Sequence, residues 1–96
     1  MQSQKVPAQL LELRDTIDSI DDELLTLLAR RFEVTAKVGE LKASQKLDSV
    51  DPVREQEKLE RLRKQAKDKF LNSEFILELF QAIFDEVVKN HRSYLK

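Results

Sequence analysis

The chain of 96 residues is 41% hydrophobic and 36% charged, the composition of one water-soluble domain near the size at which a lone core is marginal. It has no cysteine, one histidine and one glycine, which excludes a disulfide scaffold, a metal site, a nucleophile triad and a glycine-rich phosphate loop. With 17 basic residues against 18 acidic ones, the molecule as a whole is not drawn to nucleic acid or to a membrane, so any anion binding must come from local placement.

Residues 1–6 lack periodicity and are expected to fray, and Pro7 suits the first turn of a helix, where its missing N–H costs nothing. MQSQKVPAQ holds no apolar core of signal-peptide length and no window approaches a membrane span, so the expected location is cytoplasmic. From Leu10 the apolar residues fall at Leu13, Ile17, Ile20, Leu24, Leu27, Val34, Val38 and Leu41, the spacing of helices that pack along their length. The slot between Leu27 and Val34 is Arg31, a guanidinium where the pattern calls for leucine. No proline interrupts the run between Pro7 and Pro52, which predicts one helix over about 7–45, roughly 55 Å long. A compact monomer of this size has a radius of gyration near 12 Å, about a fifth of that length, so the seam asks for a second copy of the chain. Beyond Leu24 the stripe widens through Leu25, Leu28, Phe32, Ala36 and Ala43. Gly39 sits inside this helix at a cost of roughly 1 kcal/mol, either merely tolerated or placed where a backbone or a ligand comes close.

Ser44 to Val50 is polar and non-periodic and ends in Asp51-Pro52, an N-cap followed by proline at the first helical position. A second helix is predicted over about 52–69, thinly apolar through Val53, Leu59, Leu62 and Ala66. After a break at Phe70 to Ser73, with Asn72 or Ser73 as cap, a third helix is predicted over about 73–94. Phe75, Ile76, Leu79, Phe80, Ile83, Phe84, Val87 and Val88 form its wide core stripe, and His91 continues the face. No strand-like alternation occurs, so the fold is read as all-α, a single domain over 1–96.

The residues able to do chemistry are cations and one Asp/Glu pair near helix junctions. Arg31 and Lys42 are eleven residues apart, which returns to within roughly 20° of one direction about 16 Å along a helix, so two long side chains leaning together can hold one small dianion. Asp51, Arg54 and Glu55 open the second helix, where free N–H groups and the dipole also favour an anion. Plainer readings stand beside these. Arg31 can snorkel or pair with a glutamate, Lys42 is favoured by the dipole at any helix end, Arg54 and Glu55 can be solvated, and His91 can be a packing residue.

LRDTIDSIDDELLTLLARRFEVTAKVGELK at 13 to 42, DPVREQEKLERL at 51 to 62 and LFQAIFDEVV at 79 to 88 together resemble the all-helical chorismate mutase domain, over about Leu10 to Leu95. The resemblance implies a three-helix protomer with a very long first helix, interlocked as a homodimer whose two sites draw on both chains. It implies rearrangement of chorismate to prephenate, in the biosynthesis of aromatic amino acids, with no cofactor. It puts the substrate-carboxylate arginines at Arg14 and Arg31, the ether-oxygen lysine at Lys42, and further substrate contacts at Asp51, Arg54 and Glu55, with Glu55 at the ring hydroxyl. Val87 stands where a small hydroxyl residue is usual, and His91 where a glutamine or glutamate supplies a second hydrogen bond to the ether oxygen. An activating partner enzyme is left unidentified by the resemblance. Two competing readings are an isochorismate pyruvate lyase on the same scaffold and a non-catalytic helical dimerisation module.

Overall fold

The computed structural model describes residues 6–48 and 50–93. They form three α-helices, α1 (Ala8–Ser44), α2 (Pro52–Asp68) and α3 (Ser73–Ser93), and no strand among the described residues. The fold is all-α. Most of the start expected to fray, 1–5, and Tyr94 at the predicted end of the third helix lie outside the described residues. The chain divides into two compact units at the Glu33–Val34 step; the second holds the last three turns of α1 with α2 and α3.

Local chemistry explains each boundary. The Pro7 carbonyl accepts from the N–H groups of Leu10 (3.0 Å) and Leu11 (3.2 Å), so Pro7 takes the cap position and Ala8 becomes the first helical residue. Asp51 caps α2: its Oδ1 accepts from Arg54 N–H at 3.1 Å, and Pro52 follows with no N–H to satisfy. Asn72 caps α3, its Oδ1 accepting from Glu74 N–H (3.0 Å) and Phe75 N–H (3.3 Å). Both α1 and α2 end in a left-handed turn closed by paired bonds. Leu47 N–H reaches Lys42 O at 2.7 Å and Lys46 N–H reaches Ala43 O at 3.2 Å, with Lys46 at φ 58°. Leu71 N–H reaches Ala66 O at 2.8 Å and Phe70 N–H reaches Lys67 O at 3.1 Å, with Phe70 at φ 59°. The usual residue there is glycine, and this chain's one glycine is elsewhere.

In the second unit α2 packs on α3, and the buried residues are Leu62, Ala66, Phe84 and His91, together with Gly39, the one buried residue of α1. Phe80 and Phe84 meet edge to face, ring centroids 6.3 Å apart. The wide stripe expected on the third helix is only partly covered. Ile76, Phe80, Ile83, Val87 and Val88 are half-buried, but Phe75 and Leu79 are exposed, because they point to the side of α3 opposite Phe84.

The first unit is a helix segment whose apolar seam lies open. Leu10, Leu13, Ile17, Ile20, Leu24 and Leu27 are 38% to 56% exposed. A contiguous line of six large apolar side chains is more than a soluble monomer usually shows to water. No helix among the described residues is long and apolar enough to cross a membrane.

Candidate active site

At the head of α2 the Asp51 carboxylate serves first as a cap, and the Asp51 carbonyl takes the next bond from Glu55 N–H at 3.0 Å. This fixes Arg54 and Glu55 in the first helical turn, about 100° apart around the axis. Arg54 is exposed and Glu55 half-buried. Glu55 lines an open groove with Val50, Val88, Lys89 and Arg92, among others.

Lys42 lies in the last turn of α1, half-buried, and the Leu47 bond to its own carbonyl fixes the backbone from which its ammonium extends. On α3, Val87 and His91 are one turn apart on the face that carries Phe84. His91 is 4% exposed. Its Nε2 lies 2.8 Å from the Thr35 carbonyl oxygen. A carbonyl only accepts, so Nε2 carries the hydrogen and donates. Nδ1 is equally buried and has no hydrogen-bond partner among the described residues.

Arg14 and Arg31 belong to the first unit. Arg14 is exposed; Arg31 is half-buried, with its Nη1 closed off from water. Within the second unit Lys42 lies in the last turn of α1, Asp51, Arg54 and Glu55 at the head of α2, and Val87 and His91 in the last two turns of α3. The groove beside Glu55, however, is lined on α3 by Val88, Lys89 and Arg92, on the side away from Val87.

Thr35 and Gly39 are absent from the sequence-derived set. Thr35 acts through its backbone, which carries no side-chain signature, and the one available signal was glycine four residues further along the helix. Among the described residues no three His, Cys, Asp or Glu side chains converge as metal donors.

Three helices with cations and an Asp/Glu pair near their junctions define a small all-helical domain. Comparison with known sequences gives the class its name. The chorismate mutase type II family profile matches residues 13–92, and the chain belongs to that family. It is 37% identical over 87 residues to the bifunctional chorismate mutase/prephenate dehydratase of Escherichia coli (strain K12), covering 91% of this chain and 22% of that protein. It is 30% identical over 88 residues to the chorismate mutase of Methanocaldococcus jannaschii, covering 92% of this chain and 89% of that one. The T-protein of Enterobacter agglomerans is 39% identical over 79 residues, 82% of this chain and 21% of that protein. The chain thus spans about a fifth of the length of the Escherichia coli and Enterobacter relatives and nearly all of the archaeal one.

Proposed function

We propose that this chain is a chorismate mutase, converting chorismate to prephenate on the route to aromatic amino acids. The observation that carries the reading is the family match over residues 13–92, with a relative named chorismate mutase aligned over nearly its whole length. The chemistry suits the residues present. A unimolecular rearrangement needs a compact substrate conformer and stabilisation of the negative charge that builds on the breaking C–O bond. Arginine forks, Arg14 and Arg31, hold the two carboxylates; Lys42 opposes the charge on the ether oxygen; Glu55 accepts from the ring hydroxyl; Asp51 and Arg54 make further contacts to the substrate. No cofactor takes part.

The working form is a homodimer. The open seam on α1 supports this, because a second copy of the same helix offers the matching apolar line. The enzyme is cytoplasmic, and its balanced charge supports a reading without nucleic acid or membrane partners. The test is to supply purified protein with chorismate and with isochorismate in separate assays. Prephenate from chorismate is the expected result. Pyruvate release from isochorismate alone would reassign the site to a lyase, and inertness toward both would leave a dimerisation module.

A further inference from the structure

We propose that the Thr35 carbonyl and Gly39 are positioning groups that hold His91 by Nε2, so that Nδ1 is its working atom and becomes protonated when the dianionic ligand binds. The proposal rests on the chorismate mutase reading and names how one residue of that site is used.

The geometry leaves little freedom. His91 is the only histidine, 4% exposed, with Nε2 2.8 Å from the Thr35 oxygen. That contact requires hydrogen on Nε2, and a neutral imidazole has only one. Nδ1 is therefore a bare lone pair in the uncharged ring, buried and without a donor among the described residues. A buried acceptor left so costs about 1–3 kcal/mol, so Nδ1 is poised to gain either a donor or a proton. A neutral His91 held this way cannot donate to a ligand oxygen. Only the imidazolium can, through Nδ1–H.

Gly39 makes the contact possible. In a helix the side chain four residues on lies over a carbonyl, and α1 shows this twice: Thr16 Oγ1 donates to Glu12 O at 3.0 Å and Thr26 Oγ1 to Asp22 O at 3.0 Å. Gly39 is four residues beyond Thr35 and has no Cβ, so the Thr35 carbonyl stays open to the ring arriving from α3.

Lys42 is seven residues beyond Thr35 on the same face of α1. Glu55 and Lys58 are the half-buried charged positions of α2; on α3 the neighbours Lys89 and Arg92 are exposed. A bound dianion favours the imidazolium, and solvent supplies the proton.

The single histidine makes the test direct. With histidine labelled by nitrogen-15, NMR of the free protein in weakly alkaline buffer should show one protonated nitrogen, Nε2, and one bare nitrogen, Nδ1. Saturation with prephenate, the product dicarboxylate, should protonate Nδ1, and calorimetry in two buffers of different ionisation enthalpy should find about one proton taken up per site. An Nδ1–H tautomer in the free protein, or prephenate binding with no change at Nδ1, overturns the proposal. Failure of prephenate to bind at all overturns the chorismate mutase reading and this inference with it. Gly39→Ser adds a hydroxyl that competes for the Thr35 carbonyl. The Nε2–H preference should be lost and kcat should fall about tenfold with KM moving less, the scale of one hydrogen bond. Gly39→Ser with an unchanged histidine spectrum removes Gly39 from the account. In the wild type kcat/KM should fall as pH rises through the imidazole titration, and His91→Gln, which donates at every pH, should flatten that profile. A flat wild-type profile contradicts the charged working form.

Discussion

Arg14 and Arg31 stand seventeen residues apart on the uninterrupted helix α1, which separates their backbones by about 25 Å along the axis and by roughly 100° around it. No ligand the size of a single shikimate-type ring bridges that distance, so if both guanidinium groups hold one substrate molecule, one of them comes from a second chain. The half-exposed apolar line from Leu10 to Leu27 runs along the same helix and gives that second chain a surface to cover. The protein should therefore sediment as a dimer. Replacing Ile17 and Leu24 with aspartate should shift it toward monomer and abolish turnover together; a fully active monomer would separate the seam from the site.

The proposed function has Lys42 act in the transition state. Removing a charge that meets developing negative charge lowers kcat by on the order of 10² or more while KM moves less. Steady-state kinetics of Lys42→Ala should show that split. A raised KM with normal kcat would make this lysine a substrate holder instead.

Asp51 has a structural duty that separates cleanly from a binding one. Its Oδ1 caps α2 through Arg54 N–H at 3.1 Å. Asn caps about as well as Asp, so Asp51→Asn should keep thermal stability, while Asp51→Ala should lose about 1 kcal/mol. Reduced activity in the stable Asn variant would then report the carboxylate's contact with substrate rather than a frayed helix.

The helix ends at Lys46 and Phe70 carry a cost in backbone conformation. Both hold positive φ, 58° and 59°, and Phe70 is 98% exposed. Phe70→Gly and Lys46→Gly each relieve a left-handed strain of about 1 kcal/mol, offset partly by the greater freedom of glycine in the unfolded chain. Urea denaturation should show both variants at least as stable as wild type. A loss above about 1 kcal/mol would mean that these side chains make contacts that outweigh the strain.

These cases mark what the sequence makes legible. Pro7, Asp51-Pro52 and Asn72 announce the helix starts because capping and proline act within a few residues. The ends are less legible: the expected glycine is missing at Lys46 and Phe70, and nothing in a lysine or a phenylalanine advertises a left-handed turn. The stripe on α3 is visible as a stripe, but periodicity does not say which edge a neighbour covers, so Phe75 and Leu79 read as core and stand exposed. Arg31, Lys42, Arg54 and Glu55 attract notice as charges at junctions, and their roles come from family resemblance. The Thr35 contact was invisible, since its acceptor is a backbone carbonyl that every residue carries. Gly39 alone hinted that something approaches α1 there.

Subunit mixing most directly tests a chorismate mutase site completed by a second chain. Arg14→Ala and Arg31→Ala proteins, each nearly inactive alone, are unfolded together and refolded so that protomers exchange. A heterodimer of the two has one site lacking both arginines and one site intact. With half of the dimers mixed, chorismate turnover should recover to about a quarter of the wild-type value. A mixture no more active than its parents would contradict the shared site.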